Sequence, residues 1–318
     1  MAVHSYRVLK ERFAETRSLH RHEAEQRVWA APNKLLQGKS LCIYKDIACK
    51  TASVFQNGTT KHCLLRTPFE LQNDFSVAIL GLSKFFREDV AVTAQTMQIG
   101  SRPCRIYGEA HAEYLLLQMT GEHELQSMDS EVAAIAQSAH HFLFAAVPVE
   151  SWNDALSPWE APAVWGKQGF GGNAADTLRF LTEPFIPTLK QQFRLPEDIK
   201  IILGGYSLAG LFALWASTQT KLFYGVAAAS PSVWFPDWME FEQRHPMQVQ
   251  HIYLSLGDKE EHTKYAVMAV VGDNIRVLHS RLIERGADCT LEWNSGGHFK
   301  NADLRTAKAF RWVMEEHT

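Results

Sequence analysis

The sequence predicts an α/β fold: a mainly parallel sheet with helices on both faces. Three observations carry that expectation. Short apolar runs at 114–119, 142–147, 199–203, 225–229, 251–256 and 289–293 alternate with helical patterns at 127–138, 173–193, 208–218, 265–285 and 302–316. Several of those runs are continuously apolar, as strands covered on both faces are. At the third run a strand passes directly into Gly205-Tyr206-Ser207-Leu208-Ala209-Gly210 and then into a helix. A turn that sharp puts Ser207 on a strained backbone and leaves no room for bulk two positions to either side, where Gly205 and Ala209 stand.

The chain before the alternating part reads differently. Residues 4–29 read as a polar helix stopped by Pro32. Asn57-Gly58 marks a hairpin, since both residue types tolerate positive φ. A second hairpin is expected from 90–97 and 103–107, turning near Gly100-Ser101. Residues 151–172, with two prolines, four glycines and three tryptophans, read as one long loop. Two units result: an N-terminal extension over 1–88, helix and hairpin, and an α/β domain over 89–318. Three roles are open to the extension: covering the mouth of a site in the second unit, extending the sheet edge, or making a homo-oligomer contact.

Composition narrows the partners. The 318 residues are 46% hydrophobic and 21% charged, an ordinary globular balance. A net charge of −3 gives no electrostatic case for nucleic acid. Charged residues in every turn of 1–31 leave no apolar stretch for a signal peptide, and no window approaches the length of a membrane span. Cys42, Cys49, Cys63, Cys104 and Cys289 lack any CxxC spacing, so reduced thiols are expected rather than a disulfide framework or zinc site. The expectation is a cytoplasmic protein with no metal and no cofactor.

A nucleophilic serine needs a base within hydrogen-bond reach and an acid to orient that base. In an α/β-hydrolase the three follow in the order Ser, Asp/Glu, His, each at the carboxyl end of a strand. The run 289–293 ends in Asn294-Ser295-Gly296-Gly297-His298, where two glycines let a tight loop bend the imidazole back toward Ser207. The acid is sought after 251–256, in Gly257-Asp258-Lys259-Glu260-Glu261. Glu260 is the first choice, Asp258 the second, Glu261 reads as a helix start, and Asp237 is a remote fourth. For the oxyanion, backbone donors are expected from Leu208 and from Thr120 and Gly121, after the strand at 114–119. Trp152, Asp154, Trp159 and Trp234 are candidate substrate contacts; loop anchoring by burial is the competing reading for each tryptophan.

These segments, with Ala229-Ser230-Pro231-Ser232-Val233-Trp234 between them, resemble the putative-esterase family of serine α/β-hydrolases. Relatives in that family include siderophore (enterochelin) esterases, feruloyl esterases and S-formylglutathione hydrolase. The resemblance spans residues 90–318 and implies an α/β-hydrolase fold with Ser207 as nucleophile and His298 as base. The siderophore-esterase branch often carries Gly-x-x-Glu where others have Gly-x-x-Asp, which implies Glu260 over Asp258. The implied activity is that of a carboxylesterase-type serine hydrolase (EC 3.1) acting on a small-molecule carboxylic ester or thioester. Two rivals stand beside it: an idle elbow on a binding protein, and acyl transfer through the same triad.

Overall fold

In the computed structural model, which describes residues 94–315 apart from 109, 139, 140 and 165, strands and helices alternate after an opening hairpin. The expected helix at 4–29, the hairpin at Asn57-Gly58, the unit 1–88, the first three cysteines and Trp165 lie outside the described residues. The strands are β1 (Ala94–Ile99), β2 (Arg102–Gly108), β3 (Tyr114–Thr120), β4 (Phe142–Pro148), β5 (Glu160–Ala161), β6 (Phe170–Gly171), β7 (Lys200–Tyr206), β8 (Gly225–Ala229), β9 (His251–Gly257) and β10 (Asp288–Asn294). The α-helices are α1 (Glu122–Ala136), α2 (Trp152–Leu156), α3 (Ala174–Phe180), α4 (Ile186–Phe193), α5 (Leu208–Gln219), α6 (Trp238–Arg244), α7 (Ala266–Ala269), α8 (Val271–Glu284) and α9 (Ala302–Met314).

Among the described residues, eight strands form one sheet in the order β1-β2-β4-β3-β7-β8-β9-β10. β1 and β2 pair antiparallel across Gly100-Ser101, and β2 meets β4 antiparallel; from β4 to β10 every pairing is parallel. The chain steps from β3 outward to β4 and then crosses back to lay β7 on the other side of β3. Open α/β sheets bind ligands at such a reversal, outside the carboxyl ends of the strands. Gln118 of β3 faces Gly204 of β7, so the exits of these two strands, at Thr120-Gly121 and at Ser207, open onto the same crevice.

Alternation explains the continuous apolar runs. Leu115, Leu117, Ile201, Leu203, Val226 and Leu254 point into one core with α5, while Leu116, Ile202, Ala227 and Tyr253 point into the other with α1 and α9. α5 is buried from Leu208 to Thr218, which fits its apolar character on every side.

Four element expectations need correction. The first helix begins at Glu122 rather than 127, because Glu124 reaches back to accept from the Gly121 amide at 3.0 Å and caps it. The stretch 151–172 is not one loop: it holds α2 and a two-stranded ribbon, Glu160–Ala161 against Phe170–Gly171. The long helix at 173–193 is broken by a π-helical turn, Leu181–Phe185, around Pro184, which has no amide proton to donate. The helix at 265–285 divides into α7 and α8 at Val270.

One buried carboxyl on α1 costs stability. Glu131 is 2% exposed, and burial drives its carboxyl well above the usual range, with Asp303 and Glu124 adding to the effect. Its Oε1 and that of Gln118 have no hydrogen-bond partner in the fold. A carboxyl raised in the folded state favours unfolding once pH passes its unfolded value, because only the unfolded chain then releases the proton cheaply. Glu131→Gln removes that penalty and supplies an amide donor for Gln118. The expected result is a Tm higher by about 2–4 °C at pH 7–8, with the gain fading toward pH 4; calorimetry across that range checks it.

Candidate active site

Ser207 follows β7 directly and opens α5. Its backbone sits at φ 59° and ψ −120°, a region costly for any residue with a Cβ and held only when its surroundings demand it. Those surroundings are hydrogen bonds: the Ser207 amide donates to Ala229 O at 3.1 Å, and its carbonyl accepts from Leu211 and Ser232. A Cβ at position 205 would lie 2.6 Å from that of Ala209, which explains why both residues flanking the elbow are small. The side chain is thereby lifted out of the sheet at the crevice between β3 and β7.

Two loops bring partners to it. After β10, Gly296 and Gly297 turn the chain so that His298 Nε2 lies 2.9 Å from Ser207 Oγ. After β9, Glu260 starts a 3-10 turn and places Oε2 2.6 Å from His298 Nδ1. The carboxylate is 5% exposed and the imidazole 23%, so the pair is shielded on the acid side and open on the serine side. Glu260 Oε1 accepts from the Gly257 amide at 2.7 Å, from Ser230 Oγ at 2.8 Å and from Arg305 Nη1 at 3.1 Å. A Cβ at position 257 would meet that oxygen at 2.8 Å and also strike Gly296 O, so only glycine lets the glutamate curl back onto the strand end.

The competing carboxylates are used elsewhere. Asp258 accepts from the Gly296 amide at 2.7 Å and so braces the loop that carries His298. Glu261 pairs with Arg276, whose hydrogen bonds hold the Glu261 carboxyl below its ordinary range. Asp237 stands at the N-terminal boundary of α6 in a left-handed backbone. The described thiols do not compete as nucleophiles: burial pushes Cys104 up to about 11 and Cys289 up to about 12.

The expected oxyanion donors fare unequally. Leu208 is the first residue of α5, where an amide has no carbonyl one turn back to reach. Thr120 closes β3 beside it. The Gly121 amide is already engaged by Glu124, which argues against it as a second donor in this conformation. Of the four substrate candidates, Trp152 borders this loop: a Cβ on Gly121 would stand 3.4 Å from its ring. Trp159 donates to Pro236 O and packs on Phe235 and Phe241; Trp234 is buried against Phe170; Asp154 accepts from Ser151 and packs on Gly171. Trp234 is buried, while Trp159 and Asp154 are half-buried.

The residues that sequence reasoning missed are Ser232, Tyr206 and Arg305. Ser232 Oγ lies 3.4 Å from Ser207 Oγ. Burial pushes the Tyr206 hydroxyl above the ordinary phenol range, and it donates to His298 O at 2.6 Å. Phe299 is 95% exposed, edge-on to the imidazole. The doubled serines around Pro231 were the available signal for Ser232; for Arg305 it was a charge on the apolar stripe of α9.

Comparison with known proteins follows the same outline. A family model described as "Putative esterase" matches residues 123–299. Among solved structures, an IroE-like serine hydrolase from Shewanella oneidensis is 15% identical with a TM-score of 0.58, covering 69% of this chain and 79% of its own. The siderophore hydrolase EstA from Aspergillus nidulans is 19% identical with a TM-score of 0.53, covering 72% and 95%. The enterobactin esterase FES from Shigella flexneri is 14% identical with a TM-score of 0.52, over 70% of this chain and 58% of that one. No curated protein matches the sequence. No described helix is long and apolar enough to cross a membrane.

Proposed function

Because this chain belongs to the putative esterase family and is therefore a hydrolase of ester bonds, we propose that it cleaves a small-molecule carboxylic ester through an acyl-enzyme on Ser207. The single observation that carries the reading is the unbroken run from Ser207 Oγ to His298 Nε2 to Nδ1 to Glu260 Oε2, at 2.9 and 2.6 Å. His298 takes the serine proton as Oγ attacks the carbonyl carbon, then returns it to the leaving alcohol. Glu260 fixes the tautomer with the proton on Nδ1 and stabilises the imidazolium that forms between those two events. The tetrahedral oxyanion develops beside the Leu208 amide, at the positive end of α5. A second round, with water in place of the alcohol, releases the acid.

The substrate belongs to the same reading. The Gly257-x-x-Glu260 spacing, and the siderophore and enterobactin esterases among the similar structures, support trying siderophore esters first in an assay panel. Aryl esters, alkyl esters of graded length and thioesters complete it.

The test is direct. On mixing with excess p-nitrophenyl acetate, p-nitrophenol is expected in a burst close to one equivalent per enzyme. Protein quenched in acid should be heavier by one acetyl group. A linear release with no mass gain on any variant or ester would remove the acyl-enzyme.

A further inference from the structure

A single buried cation touches residues at the carboxyl ends of β7, β8, β9 and β10. Arg305, on the inner face of α9, is 4% exposed. Its Nη1 lies 3.0 Å from the Tyr206 hydroxyl at the end of β7, 3.4 Å from Ser230 Oγ just after β8, and 3.1 Å from Glu260 Oε1 after β9. Its Nη2 donates to Ser295 O, just after β10, at 3.3 Å. Tyr206 passes the link on, donating to the carbonyl of His298 itself. A guanidinium is a planar fork that always carries its charge, so it can hold several acceptors in fixed relation.

We propose that Arg305 is the positioning residue of the active site: it locks the Glu260 loop and the His298 loop into register and offsets the carboxylate's charge. The proposal rests on the triad reading above. Without the cation, Glu260 Oε1 keeps two neutral donors while its negative charge faces the imidazole uncompensated. That favours the imidazolium and so delays its service as a base until higher pH. The ionisable groups around His298 are few: Glu260 from the turn after β9, Tyr206 from β7, Arg305 from α9, with Asp258 and Lys300 packed on the neighbouring Gly296. Only Arg305 is both buried and opposite in sign to Glu260.

The experiment is the pH profile of kcat/KM for Arg305→Gln, Arg305→Lys, Tyr206→Phe and Ser230→Ala, each normalised to active sites titrated with a fluorophosphonate. For Arg305→Gln we expect kcat lower by about 10- to 100-fold with KM within about twofold, the signature of an interaction that matters in the transition state. The acid limb should move up by about one pH unit, the effect of one partly screened charge a few ångströms away. Arg305→Lys should keep the limb in place, because the charge survives, while recovering only part of kcat. A residue needed for folding alone would lower the titratable fraction and leave the normalised profile unchanged; that result overturns the proposal. Should Arg305→Gln fail to accumulate, Tyr206→Phe and Ser230→Ala decide it. Each removes one arm of the network and should lower normalised kcat by about three- to tenfold; wild-type values for both overturn it. If Ser207→Ala remains active, the triad reading has failed instead.

Discussion

Ser207→Ala loses ester hydrolysis by on the order of 10⁶-fold in kcat, and His298→Ala loses about as much. Either residue alone is idle, since the hydroxyl attacks only while the imidazole accepts its proton. The double variant therefore falls no further than either single one. The alanine at 207 keeps the fold, because the elbow is held by backbone hydrogen bonds to Ala229, Leu211 and Ser232 and not by the hydroxyl. Progress curves on a p-nitrophenyl ester, with circular dichroism on the same samples, check both statements. Additive losses in the double variant would mean that the two residues do not act as a unit.

Glu260→Gln lowers kcat by about 10³- to 10⁴-fold, and Asp258→Asn does not. The amide preserves the shape at 260 but presents the wrong partner to Nδ1, so the imidazole loses both its tautomer and the support of a negative charge. Arg305 would also face a neutral oxygen where it now meets a carboxylate. Asp258 acts only on the Gly296 amide, and its asparagine keeps an acceptor for that bond, so a loss of less than about tenfold is expected. Kinetics of the two variants side by side discriminate the carboxylates; the reverse ranking would move the acid to Asp258.

Much of the molecule was legible because its signals are local. Six parallel strands were readable from apolar runs, and the sheet order follows the chain except for the one reversal at β3. The serine elbow, with Gly205 and Ala209 in contact, is a steric statement that the residues make by themselves. His298 was readable because two glycines precede it at a strand end.

What escaped depends on contacts distant in sequence. The helix start at Glu122 was hidden because its cap is the Glu124 carboxylate on a glycine amide rather than a serine or aspartate. The tryptophans at 159 and 234 meet Pro236 and Phe170, partners so far away in sequence that no local pattern shows them. Arg305 was the hardest to see. In sequence it is one arginine on an amphipathic helix, yet it occupies the same inner face as Ala309 and Val313, both buried. A charge on an apolar stripe is the only hint the sequence offers, and it does not say what the charge meets.

The hydroxyl at 207 is the group expected to be acylated. Labelling with a fluorophosphonate, followed by proteolysis and mass spectrometry, reads that out without any choice of substrate. The expected result is one adduct, on the peptide carrying Ser207, absent from Ser207→Ala and formed far more slowly in His298→Ala. An adduct on a different residue, or equal labelling of wild type and Ser207→Ala, would contradict it.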